Sequence, residues 1–166
     1  MSVVHHQGPF WARAIASVGF CGFVPFAPGT IGSLVALPFG WLLLQSTPLL
    51  VAAIVVVSLV GWLAVARASG GADHGWIVID EVAGLWITLL GLVTLPGMAR
   101  PHGAALAGWM VAAFALFRLL DITKPGPIGR IDRRHDAAGV MGDDMLAGLV
   151  GAVLLALGRW LSVALS

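Results

Sequence analysis

"PLLVAAIVVVSLVGWLAVA", residues 48–66, is an apolar run without a single charged side chain, and it opens on a proline. Proline is well suited to the first position of a helix, where its missing N–H would have no partner anyway. A helix crosses a bilayer with about 20 apolar residues, in a range of roughly 17 to 25. The run therefore reads as a transmembrane helix. Composition agrees: of 166 residues, 59% are hydrophobic and 10% charged, and the mean hydropathy is +0.97. Soluble domains carry about 25% charged residues, so this inventory cannot cover a water-soluble surface. A bilayer excludes open sheet edges, and barrel strands would alternate in polarity, so the fold class is an all-α membrane protein. The length suits a single domain, 1–166.

Four further apolar segments flank the first: 31–45, 76–95, 104–120 and 145–165. The segment 31–45 is short and contains Pro38. A helical bundle of about four to five transmembrane helices over residues 28–166 is expected. Ahead of it, residues 1–27 read as an interfacial segment. Pro25 and Pro28 interrupt the apolar stretch that a cleaved leader would need. Trp11, Ile15 and Val18 fall at i, i+4 and i+7, with Arg13 and Ser17 off that stripe. That spacing predicts a short amphipathic helix on the membrane surface.

With five spans, one side of the membrane receives Arg13, Arg67, Arg118, Lys124, Arg130, Arg133 and Arg134, and the other only Arg100 and Arg159. The bias marks the first side as cytoplasmic. All the acids, Asp73, Asp80, Glu81, Asp121, Asp132, Asp136, Asp143 and Asp144, belong to that side. The net charge of +1 leaves no basic face for nucleic acid. The lone Cys21 permits no intrachain disulfide and reads as packing.

Charge is concentrated as well as one-sided. Of the 17 charged residues, nine lie in "DITKPGPIGRIDRRHDAAGVMGDD", 121–144. Two acidic pairs, Asp80–Glu81 and Asp143–Asp144, are expected to open helices, each with a glycine four residues on, at Gly84 and Gly148. Residues four apart share a helix face, so each glycine leaves room for a neighbouring backbone beneath a carboxylate. Acids at helix starts gain from the helix dipole alone. Two pairs plus Asp121 exceed that need, because a charge pushed toward the bilayer centre costs about 2.5–3.5 kcal/mol. Converging carboxylates call for a cation, and an oxygen-only set suits Mg²⁺, which takes one or two carboxylates together with waters and substrate phosphate. The histidines are scattered and give no zinc spacing.

Arg118 and Lys124 flank Asp121, and Pro125 and Pro127 end the helix there. Two readings stay open for the pair: side chains reaching for the interface, or a clamp on phosphate oxygens. Thr30, in "PGTIGS", can cap the first helix or help to hold an anion. The run "RIDRRHD", 130–136, reads as a solvated loop at headgroup level.

"PGTIGS", "IDEVAG", "FRLLDITKPGPI" and "GVMGDDMLAG", in this order and spacing, resemble the phosphatidylglycerophosphatase A family. These motifs cover most of 28–148, and the approach to the acidic pair, "DAAGVMGDD", departs modestly at Ala138 and Gly142. The resemblance implies a Mg²⁺-dependent phosphatase of the bacterial inner membrane that converts phosphatidylglycerophosphate to phosphatidylglycerol. It implies functional roles for Thr30, Asp80, Glu81, Arg118, Asp121, Lys124, Asp143 and Asp144. On that basis the five acids are expected to supply the metal ligands and the general base. Arg118 and Lys124 would bind the phosphate, Thr30 would orient it, and either a water or an aspartate would attack. Membrane lipids are the only other partner expected. A CDP-alcohol phosphatidyltransferase fits less well, because position 147 is alanine where its pattern needs an aspartate. A small ion-coupled transporter would hold its acids nearer mid-membrane.

Overall fold

The computed structural model of the chain describes residues 8–69, 72, 74–93 and 99–165; His5, His6 and Asp73 lie outside them. All regular structure among the described residues is helical: α1 (Phe10–Ala16), α2 (Pro28–Leu43), α3 (Thr47–Ser69), α4 (Ile79–Leu89), α5 (Gly103–Thr123), α6 (Pro127–Asp132) and α7 (Ala137–Ala164). Single 3₁₀ turns sit at Cys21–Phe23 and Leu90–Leu92.

Among the described residues three helices, α3, α5 and α7, are long and apolar enough to cross a membrane. The run quoted above lies within α3, whose 23 residues extend about 35 Å at 1.5 Å per residue. Its outer surface is apolar: Leu49, Val51, Val55, Val56, Leu59, Val60 and Trp62 are all exposed. An apolar patch of that extent suits contact with lipid. Helix α2 continues through Pro38, but its 16 residues reach only about 24 Å.

The segment 76–95 differs from the expected span. Its α-helix starts at Ile79, has 11 residues and is about 16 Å long, and it passes into the 3₁₀ turn at Leu90–Leu92. Of those 11 residues, all but Glu81 and Trp86 are buried. Helix α4 is the centre of the bundle, packed by α2, α3, α5 and α7. Hydropathy cannot separate a core helix from a lipid-facing one, because both are apolar all round.

Small residues set these contacts, as is usual where helices pack within a membrane. On α2 the buried positions are Gly29, Gly32, Ser33, Ala36 and Gly40. The Trp86 indole of α4 donates to the Ala36 carbonyl at 3.0 Å. Helix α1 likewise buries Ala12 and Ala16, packed on α3, while Phe10 and Trp11 face outward. Of the expected stripe, Trp11 is exposed, while Ile15 and Val18 pack partly against the core. The last residue of α1 and the chain after it hold the entry to α4: the Val78 amide donates to Ala16 O at 2.9 Å, and Phe23 stacks on Trp76 with ring centres 5.1 Å apart.

Helix α7 starts at Ala137, eight residues ahead of the expected apolar segment. Asp136 caps it, accepting from the Gly139 amide at 2.6 Å. Asp143 and Asp144 therefore sit in the second turn rather than opening the helix. The 28 residues of α7 extend about 42 Å, beyond a hydrocarbon core of about 30 Å. Part of the expected headgroup loop is also helical. Pro127 starts α6, and Ile128 anchors it in the core at 2% exposure.

Arg100 and Arg159 work at the end of the bundle away from the acidic pairs. Arg159 donates to the carbonyls of Gly91, Val93 and Ala99. Arg100 donates to Leu44 O and to the Thr47 hydroxyl. These bonds satisfy carbonyls left open where helices and turns end.

Candidate active site

The start of α2, the start of α4, the end of α5, α6 and the second turn of α7 surround one cavity of about 260 Å³. Asp80, Glu81, Arg118, Asp121, Lys124, Asp132, Asp143 and Asp144 all line it. Seven of the eight residues singled out in the sequence thus meet in one place. Thr30 is the eighth: it lies in the first turn of α2, half-buried, next to lining residues Pro28 and Gly29 but not itself in the lining. It does not cap α2 either, because the N-cap position is Ala27.

Burial of the acids is deep. Asp80 and Asp121 are 8% exposed, Asp143 4% and Asp144 3%. Exposed surface acids would need no explanation; buried ones must be paired or bound. Two cations do part of that work. Arg118 Nη1 lies 2.5 Å from Asp121 Oδ2 and 3.8 Å from Glu81 Oε1. Lys124 Nζ lies 2.5 Å from Asp143 Oδ2 and also pairs with Asp132. Lys124 is the C-cap of α5 in left-handed backbone geometry, φ 44°, a conformation that turns the chain back over the cavity. Burial alone would lower the Lys124 pKa. The Asp132 and Asp143 carboxylates outweigh that and hold it above the ordinary lysine value.

Asp132 is a lining residue that sequence reading placed in a solvated loop. The signal was present in the "KPGPI" turn, where Pro127 can start a helix. Gly29 is a second omission. A Cβ there would collide with Glu81 Oε1 and lie 3.0 Å from Arg118 Nη1. Glycine lets the first turn of α2 rest on this carboxylate–guanidinium pair without displacing either side chain, with the positive end of its dipole at the cavity.

Counting lining residues, six carboxylates face one guanidinium and one ammonium, a formal surplus of four negative charges. A formal surplus of that size repels an anion such as a phosphate dianion unless further cations are bound. The donor set fits Mg²⁺. Asp80, Glu81 and Asp144 each offer an oxygen within 4.8 Å of the others. Oxygens about 2.1 Å from one ion stand at most about 4.2 Å apart, so small side-chain adjustments complete the set. Glu81 Oε2 and Asp143 Oδ1 are buried without a hydrogen-bond partner, the condition a cation relieves. Asp121 and Asp143, also expected as metal ligands, have their Oδ2 atoms engaged by Arg118 and Lys124.

Comparison with known proteins gives the family. The family model described as phosphatidylglycerophosphatase A matches residues 14–159. Phosphatidylglycerophosphatase A of Escherichia coli (strain K12) is 39% identical over 148 residues, covering 85% of this chain and 80% of that protein. The Haemophilus influenzae protein of the same name is 34% identical over 148 residues, covering 85% of each chain. A Bacteroides thetaiotaomicron protein, provisionally named a phosphatidylinositol-3-phosphatase, is 36% identical over 165 residues, covering 92% of this chain and 96% of that protein. No solved structure matches. The chain belongs to the phosphatidylglycerophosphatase A family, and so to the phosphoric monoester hydrolases.

Proposed function

We propose that this protein hydrolyses the terminal phosphomonoester of phosphatidylglycerophosphate, yielding phosphatidylglycerol and inorganic phosphate, with Mg²⁺ as cofactor. The observation that carries the reading is the charge surplus of the cavity at the end of membrane-length helices. That arrangement suits an anionic headgroup delivered from a bilayer together with a divalent cation. Two relatives bear the name of this activity.

Asp80, Glu81 and Asp144 would hold the ion, which when bound supplies charge neutralisation for the phosphoryl oxygens. Arg118 and Lys124 bind the remaining phosphate oxygens, exchanging part of their carboxylate contacts for the substrate. The first-turn amides of α2 lie beside Gly29 and add a partial positive charge on the same side, with Thr30 next to them. The buried oxygens without a partner, Glu81 Oε2 and Asp143 Oδ1, are free to meet an ion or to take the proton of an attacking water. Burial of the cluster keeps these interactions strong by excluding bulk solvent.

Helix α2, and α4 with its 3₁₀ turn, add two shorter passes to the three long helices, giving five. Residues 1–27 lie at the interface. The cluster faces the cytoplasm of a bacterial inner membrane, because seven of the nine basic residues fall on its side under that topology.

The test is phosphate release by detergent-purified protein from phosphatidylglycerophosphate, with Mg²⁺ and with chelator. Phosphatidylinositol 3-phosphate is the informative competitor, since the name of one relative concerns that lipid. Higher kcat/KM on the inositol lipid would reassign the substrate.

A further inference from the structure

Lys124 is held from two sides, and the two sides differ. Asp143, on α7, is 6% exposed at its side chain; Asp132, on α6, is 36% exposed. The inner contact is fixed in the bundle and the outer one lies at the mouth of the cavity. The position of Asp132 is built rather than incidental. Left-handed backbone at Lys124 and positive φ at Gly126 turn the chain sharply after α5. Gly129 then lets α6 settle on the Lys124 carbonyl, where a Cβ would come within 2.7 Å. Ile128 is buried in the core, and Ile131 approaches α7 at Gly142. The carboxylate of Asp132 is thereby carried back over the ammonium of a residue eight positions earlier.

We propose that Asp132 is a stand-in for the substrate phosphate: it occupies the outer face of Lys124 until a phosphomonoester displaces it, and it re-forms the pair as inorganic phosphate leaves. The inference rests on the proposed function and concerns how that site trades one anion for another. An ammonium has three donors and no fixed plane, so it can keep Asp143 while exchanging its second partner. The exposed pair is the cheaper one to break, because solvent screens it and receives the released carboxylate. A fixed negative charge at the mouth also opposes retention of the dianionic product. Asp132 therefore acts through Lys124 and through the local field, as a positioning residue rather than a catalytic one.

The test uses full-length protein in detergent with Mg²⁺, following the dephosphorylated lipid so that inorganic phosphate can be added as the probe. Asp132→Asn is expected to lower the Ki for inorganic phosphate about fivefold, the scale of one exposed ion pair. KM is expected to fall in the same direction. Asp132→Glu, which restores the charge, is expected to return Ki toward the wild-type value. If the asparagine variant does not purify as folded protein, Asp132→Ser carries the same test. A Ki that is unchanged or raised in the neutral variant overturns the inference, since a residue that only orients Lys124 would weaken phosphate binding when lost. Wild-type protein that dephosphorylates no lipid overturns the proposed function and this inference with it.

Discussion

Gly84 of α4 and Gly148 of α7 lie back to back: a Cβ on Gly84 would stand 2.6 Å from Asp144 O, and one on Gly148 would stand 3.0 Å from Gly84 Cα. The two helices touch through their backbones directly beneath the acidic pairs. Thr88 extends the seam, its hydroxyl 3.0 Å from Gly84 O and 3.3 Å from Gly148 O. This contact sets the separation between Asp80 and Glu81 on one helix and Asp144 on the other.

Forcing the helices apart should therefore cost stability and activity together. Gly148→Val is expected to destabilise by about 1–3 kcal/mol, the range for an overpacked interior. It should also reduce turnover by more than the unfolded fraction explains. Thermal unfolding in detergent alongside specific activity checks both.

The carboxylates predict a different pattern, loss of turnover with retention of fold. Asp80→Asn, Asp121→Asn and Asp144→Asn keep shape and remove charge. Each is expected to lower kcat/KM on the order of 10³-fold, several kcal/mol of transition-state stabilisation. Size-exclusion profiles should match wild type. Wild-type rates from all three would remove the site assignment.

At the opposite end of the bundle, Arg159→Leu should separate structure from chemistry. It strips donors from Gly91, Val93 and Ala99. The expected destabilisation is about 3 kcal/mol, because hydrogen bonds to a charged group are the stronger kind. Activity per folded molecule should stay near wild type. A large fall in kcat without a change in unfolding temperature would contradict this.

Asp136 predicts a pH effect confined to acid. Arg134 beside it, at 2.9 Å, and then the Gly139 amide hold its carboxyl below the usual aspartate value. A depressed folded pKa means stability that is present above about pH 4 and lost as pH falls through the folded value. Asp136→Ala should lower the unfolding midpoint by a few degrees near pH 7, as loss of a helix cap does. The gap between variant and wild type should close in acid. A gap that stays constant below pH 3 would contradict the assignment.

How legible this was in the sequence depends on the physical signal each part leaves. Helix α3 was plain because lipid contact demands an unbroken apolar run. The glycines four residues after Asp80 and Asp144 foretold the α4–α7 seam, since a close backbone approach leaves a spacing that can be counted. The convergence of Asp80, Glu81, Arg118, Asp121, Lys124, Asp143 and Asp144 followed from alternating helix direction. The extent of α4 was not legible, because burial by protein and by lipid select the same side chains. The start of α7 was missed because its first two turns lie outside the apolar segment. Its cap, Asp136, stood in a charged run that reads as loop. Asp132 was missed for a related reason: three-dimensional return through Lys124 and Gly126 has no periodicity.

The proposed Mg²⁺-dependent hydrolysis of phosphatidylglycerophosphate rests on the buried carboxylate cluster. Its most direct test is phosphate release from that lipid by purified wild type and Asp144→Asn, each with Mg²⁺ and with excess chelator. Wild type is expected to release phosphate with Mg²⁺, to stop on chelation and to recover when the metal is added back, and the variant to release it on the order of 10³-fold more slowly. Equal release with chelator, or from Asp144→Asn, would contradict the proposal.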